Sequence, residues 1–154
     1  WRTLFNSLYL KTDGDVFENS VNTAKDVNEL IQATGIKPTD QLLDMCCGQG
    51  RHSIELAKRG YPHIIGIDRS RYLVRLARKR AKMLGFSLTF SEGDARHVRL
   101  KESSIDCAFL LGNSFGYFER EEDDIAVLSN LKRILKSNGK IVLDIVDGNW
   151  MSQH

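Results

Sequence analysis

Leu42-Leu43-Asp44-Met45-Cys46-Cys47-Gly48-Gln49-Gly50-Arg51-His52 decides the fold: an apolar run ends in a carboxylate, a small-residue turn follows, and a helical pattern begins. That order reads as a strand feeding a tight loop that feeds a helix. Gly48 and Gly50 lack Cβ atoms, so the loop can turn sharply and bring its backbone amides close to a ligand. The next helix adds the positive end of its dipole. One or two glycines also serve strand-to-helix turns for geometry alone, so the reading depends on the rest of the chain.

Outward from this segment, strands and helices alternate. Gln41–Cys46 is strand one, Arg51–Arg59 a helix closed by Gly60, and His63–Asp68 strand two, rich in β-branched residues. Ser70–Leu84 is a helix closed by Gly85, Ser87–Glu92 strand three and Ser104–Leu111 strand four. A helix over Glu121–Leu135 carries Ile125, Leu128, Leu131, Ile134 and Leu135 on one side, and Lys140–Val146 is strand five. Upstream, Ser20–Thr34 is a helix with Val21, Ala24, Val27, Leu30 and Ile31 on its face, Ser20 as cap and Gly35 as its left-handed stop. Trp1, Leu4, Phe5 and Leu8 fall on one stripe of a shorter helix. The alternation predicts an α/β fold with a doubly wound, mostly parallel sheet of five strands and helices on both faces. Ligands of such sheets bind beyond the carboxyl ends of the strands.

The 154 residues suit one domain, with 1–34 as an amino-terminal helical cap and 40–147 as the core. The chain opens at Trp1 rather than methionine, as an excised or processed piece would. No apolar run approaches the roughly 18 residues of a membrane span and no signal-peptide pattern is present, so a cytoplasmic, membrane-free protein is expected. Cys46, Cys47 and Cys107 form no CxxC pair and are odd in number, which argues for packing residues, with no disulfide framework and no metal site. The basic run from Arg69 to Lys82 fits the solvated side of an amphipathic helix, and a net charge of +2 falls short of a nucleic-acid footprint. Arg80 stands out because it falls within the stripe set by Leu73, Leu76, Ala77 and Leu84.

The residues just past the strands carry the chemistry. Strand one ends at Asp44 and its loop, strand two at Asp68, strand three at Glu92-Gly93-Asp94-Ala95, and strand four at Leu111 and Gly112-Asn113-Ser114-Phe115-Gly116-Tyr117. Asp68 follows Asp44 at close to the ~20-residue spacing at which an acid grips ribose hydroxyls in a mononucleotide-binding half.

These motifs resemble those of the class I S-adenosylmethionine-dependent methyltransferases. LLDMCCGQGRH is similar to the family's first motif, with Cys46 where glycine is more usual, GIDRS to the second, GDA at Gly93–Ala95 to the third, and LKRILKSNGKIVLD to the segment through strand five. WRTLFNSLYLKT resembles, more loosely, the helical cap of the small-molecule members. The resemblance implies that Cys46, Gly48 and Gly50 pass beneath the methionine part of the cofactor and that Asp44 faces its amino group. It gives Asp68 the ribose hydroxyls and sets Arg69, Asp94 and Ala95 at the adenine, with Leu111 and Gly112 completing the set. S-adenosyl-L-homocysteine would be the product.

Methyl transfer from a sulfonium needs alignment and water exclusion more than a dedicated catalyst. Tyr117, Asn113 and His52 are the candidates to position or deprotonate an acceptor, with Tyr9 from the cap. Asn113-Ser114-Phe115-Gly116 differs from the Asn/Asp-Pro-Pro-Tyr/Phe motif of nucleobase and amide methyltransferases, which favours a small-molecule amine, hydroxyl or carboxylate acceptor. The family continues beyond strand five with a further helix and two strands. An uncovered strand-five edge here is expected to pair with a second copy or a missing segment. Three rivals are a nicotinamide-dependent oxidoreductase, since Gly48–Ser53 approximates GxGxxG, a non-catalytic cofactor-binding module, and, third, a nucleic-acid methyltransferase working through the Arg69–Lys82 helix.

Overall fold

The computed structural model describes residues 19–116 and 118–145. The expected helix of Trp1 to Leu8, the cap residue Tyr9 and the candidate Tyr117 lie outside them. In chain order the elements are α1 (Ser20–Thr34), β1 (Leu42–Met45), α2 (Arg51–Lys58), β2 (Ile64–Asp68), α3 (Arg71–Met83), β3 (Thr89–Glu92), β4 (Ile105–Leu110), α4 (Glu121–Ile134) and β5 (Leu135–Leu143). The five strands form one parallel sheet in the order β3-β2-β1-β4-β5, so the doubly wound reading holds.

β1 lies at the centre and all four of its residues are buried, which is why it reads as an unbroken apolar run around one acid. Side chains alternate across the pleat. Leu43 and Met45 pack with Ala108, Leu110 and the α4 residues Val127, Leu131 and Ile134, while Leu42 packs with Phe109 and with Val27, Leu30 and Leu56 of α1 and α2. A third cluster sets Cys47 and Ile54 against Val74, Ala77 and Phe90. Each such aliphatic side chain contributes roughly 1.5–3 kcal/mol on burial.

Four local readings are corrected. Asn19, not Ser20, caps α1: its Oδ1 accepts from the amides of Val21 (2.9 Å) and Asn22 (3.3 Å), while Gly35 closes the helix at φ +63° as read. The α1 face is Thr23, Val27, Leu30 and Thr34, leaving Val21 exposed, because α2 approaches from the Thr23 side. On α4 the buried residues are Val127, Leu131 and Ile134, and Ile125 and Leu128 face outward. β5 starts at Leu135, directly after α4, instead of at Lys140: Ile105 pairs with Leu135 and Cys107 with Lys140, so residues 136–139 form an irregularity that spaces the strand from the helix. Leu84 is exposed and Arg80 half-buried at the end of the α3 stripe. β5 is a terminal strand of the sheet, with Ile141 37% exposed, and Ile145 just past it 60% exposed.

Candidate functional site

From β1 the chain winds one way to β2 and β3, and the other half of the sheet holds β4 and β5. The order reverses between β1 and β4, and it is beyond the strand carboxyl ends at such a reversal that open α/β sheets bind ligands. Asp44, Asp68 and Asp94 all stand at this rim.

Asp44 points to the α2 side of the sheet and is 1% exposed. Ser53, on the first turns of α2, donates its hydroxyl to Asp44 Oδ2 at 2.6 Å. Burial pushes the Asp44 carboxyl above its usual range, and His52 and the Ser53 bond oppose the rise. The loop then crosses to β2: Cys47 N donates to Ile67 O at 3.1 Å and Gly50 N to Cys47 O at 2.9 Å.

Cys46 has φ +61°, a left-handed conformation that disfavours side chains, which is the physical reason a glycine suits this position. Burial pushes its thiol up to about 12, and the charges of Asp68, Asp44 and Asp94 act in the same direction. Cys47 and Cys107 are buried, as packing residues are. Gly50 is required for close approach: at φ +78°, a Cβ there would sit 2.9 Å from Phe90 Cζ and 3.0 Å from Ala77 Cβ. At Gly48, φ +53°, a Cβ would make an ordinary contact with Leu73 Cδ1 at 4.0 Å.

Asp68 ties the loop to the second half of the βαβ unit. Its Oδ2 accepts the Gly48 amide at 2.8 Å and its Oδ1 the Ser70 amide at 2.7 Å. Burial pushes its carboxyl up, and the bonds from the amides of Ser70, Gly48 and Arg69 resist. Asp94 has the opposite balance. Arg96 donates to both of its oxygens, Nε to Oδ1 at 3.0 Å and Nη2 to Oδ2 at 2.6 Å, and Arg69 Nη1 lies 3.4 Å from Oδ2. Hydrogen bonding to Arg96, above all, holds the Asp94 carboxyl at about 2. Arg96 also donates Nη1 to Asp123 at 3.0 Å, and its guanidinium lies 4.8 Å from the Phe118 ring centre. Ala95 is buried in the core beneath this knot. A cleft of about 380 Å³ opens on the β3 side, lined by Ile67, Gly93, Asp94 and His97 among others.

After β4, Leu111 is buried, Gly112 N donates to Asp144 Oδ2 at 2.9 Å, and Asn113 stands at φ +54° at the start of the following loop. His52 is 4% exposed and lies between α1 and α2, its Nε2 3.0 Å from Asp26 Oδ2. Arg51 donates Nη1 to the same oxygen at 2.9 Å and to Thr23 Oγ1 at 3.0 Å. Both His52 and Arg51 hold down Asp26, whose carboxyl is lowered chiefly by the His52 bond. The sequence reading missed Asp26, Thr23, Arg96, Asp123 and Ser53. Only the Asp94–Arg96 pair had a local signal, an acid and a base two positions apart; the other partners are distant in sequence and nothing local marks them.

With the geometry described, likeness to known proteins decides the family. A model described as a methyltransferase domain matches residues 42–139. This chain belongs to the class I S-adenosylmethionine-dependent methyltransferase family. A 2-phytyl-1,4-naphtoquinone methyltransferase of Synechococcus elongatus is 34% identical over 73% of the chain and 48% of the relative, and a demethylmenaquinone methyltransferase of Lactobacillus johnsonii is 34% identical over 69% and 43%. The chain thus spans about half the length of the curated relatives it matches. The crystal structure of the PH0226 protein from Pyrococcus horikoshii aligns at TM-score 0.77 with 25% identity over 90% of this chain and 62% of that one. SAM-bound CalS10, an amino pentose methyltransferase from Micromonospora echinaspora, aligns at 0.72 with 24% identity over 92% and 57%.

The methyltransferase site fits the family's cofactor on its own chemistry. Asp68 at the β2 end offers carboxylate lone pairs beyond its amide bonds to accept vicinal hydroxyls, and its charge lies beside the glycine loop, where a cationic ligand would be offset.

Proposed function

We propose that this methyltransferase chain binds S-adenosyl-L-methionine and transfers its methyl group to a small-molecule acceptor, leaving S-adenosyl-L-homocysteine. Asp68 at the end of β2, its carboxylate fixed by the amides of Gly48 and Ser70 beside the glycine loop, carries the reading. When bound, the cofactor supplies a methyl already activated on sulfur. The chain's residues hold and orient. Asp68 accepts from the vicinal ribose hydroxyls; the backbone at Cys46, Gly48 and Gly50 passes beneath the methionine part; and Asp44 offsets the ammonium. Asp94, Ala95 and Arg69 frame the adenine, with Leu111 and Gly112 closing the other side. The Arg69–Asp94 contact supports a guanidinium edge at the base as much as a stacked one.

Asn113, in the loop after β4, is the positioning candidate on the acceptor side among the described residues, and Tyr117 remains a candidate from the sequence. His52 fits proton transfer less well, because its buried pairing with Asp26 fastens α1 over the loop. The acceptor is proposed as an amine, hydroxyl or carboxylate, and the naming of relatives for naphthoquinones adds that ring system to the compounds worth trying. Calorimetry with S-adenosylhomocysteine against NAD tests the cofactor assignment: the former binds and the latter does not. Binding of NAD alone would overturn it. Radiolabelled methyl transfer to amino sugars, phenols, carboxylic acids and reduced naphthoquinones tests the acceptor class, and labelling of none of them would favour a cofactor-binding module.

A further inference from the structure

One guanidinium touches three separate segments at the rim of the site. Arg96 lies in the loop after β3, and its planar fork grips both oxygens of Asp94 with one edge and Asp123, in the first turn of α4, with another. Its face lies against Phe118 in the loop after β4. Its backbone oxygen accepts from Asn130 Nδ2, two turns along α4 from Asp123, so the residue is fixed at both ends. Phe118 itself packs on the core shared by β1, β4 and α4. Among the described residues, the segment it belongs to, between β4 and α4, has no helix or strand, and it carries positive φ angles at Gly112, Asn113 and Gly116. The Arg96–Phe118 contact ties this segment back to Asp94.

We propose that Arg96 is a positioning residue that couples the cofactor side of the pocket to its acceptor side, transmitting occupancy at Asp94 to the 113–120 segment through Phe118. The proposal rests on the methyltransferase reading above. A ligand that contacts Asp94 draws on an oxygen Arg96 already holds, and any reorientation of the fork moves its stacked face over Phe118. Lysine cannot replace this arrangement, since its ammonium is a single point charge with no planar face.

The test pairs calorimetry with S-adenosylhomocysteine and amide hydrogen exchange on the full chain, for wild type, Arg96→Lys and Phe118→Leu, each checked by thermal melting. In wild type the ligand slows exchange over 113–120 by about fivefold or more, as expected for a segment whose local opening becomes coupled to binding. Arg96→Lys still binds, weakened by about tenfold or less because one contact to Asp94 survives, but its 113–120 segment shows no slowing. Phe118→Leu leaves both edges of the fork intact, so it binds within about threefold of wild type yet also loses the slowing. The second variant carries the test if the first does not fold. Full wild-type slowing in a variant that binds, or no slowing in wild type on binding, overturns the coupling while leaving the methyltransferase reading in place. Failure of wild type to bind the ligand overturns that reading and the coupling with it.

Discussion

Asp68→Ala is the most informative single change, because it separates what this acid does for the fold from what it does for a ligand. In the structure the carboxylate accepts the Gly48 amide at 2.8 Å and the Ser70 amide at 2.7 Å, so alanine strands two loop amides at the mouth of the site. Hydrogen bonds to a charged partner contribute about 1.5–3 kcal/mol each. The substitution also removes a desolvated carboxylate, whose burial cost opposes that gain, so the net loss of stability is expected at about 1–2 kcal/mol. For a domain of this size that lowers the melting temperature by roughly 2–8 °C. Ligand binding should suffer more. Two ribose hydroxyls lose a charged acceptor, and taking the low end of the range for each gives about 3 kcal/mol, or roughly a hundredfold in Kd for S-adenosylhomocysteine. Isothermal calorimetry well below both melting temperatures measures this directly. Glu29→Gln is the control, since Glu29 is an exposed residue of α1 whose ion pair is with Lys25 one turn away; its Kd should stay within about twofold. An Asp68→Ala protein that is folded and binds within about threefold of wild type would refute the ribose assignment.

Three further outcomes follow from the same geometry. Cys46→Val, which sets a β-branched side chain at φ +61°, should destabilise by about 1–2 kcal/mol in urea unfolding, whereas Cys46→Gly should change stability by less than about 1 kcal/mol; equal effects would refute the strain argument. Gly66→Ala drives a Cβ to 2.4 Å from Phe90 Cδ1 and 3.0 Å from Cys47 Sγ, so overpacking should cost about 1–3 kcal/mol, read as a lower melting temperature that Phe90→Leu partly restores. The Asp94 carboxyl is held at about 2, below its unfolded value, so its pairing with Arg96 stabilises fully above about pH 4 and is lost as pH falls toward 2. The stability gap between wild type and Asp94→Asn should therefore be level above pH 4 and close below it, and a gap that widened on acidification would contradict the pairing.

Much of the site was legible in residue order because its acids sit at strand ends, and strand ends follow from local apolar runs. Asp44, Asp68 and the Gly93-Asp94-Ala95 turn follow from those runs together with the family resemblance, and the structure sets Asp68 on the Gly48 amide, Asp44 on Ser53 and Asp94 on Arg96. His52 was read from its position after the glycines, but its environment depends on Asp26, on a helix packed from elsewhere. The Val21 and Ile125 errors have a similar origin: hydrophobic spacing identifies a helix, while the approach of a neighbouring element decides which stripe is covered.

By itself the sequence determined the alternation of strands and helices, the parallel sheet, and the loop whose backbone needs small residues, because each depends on near-neighbour sterics and the period of burial. The tertiary structure alone decided which charges meet. Arg96 on Asp123, and Arg51 and His52 on Asp26, are pairs made when separate elements pack, and no local preference along the chain encodes a partner some 25 residues away.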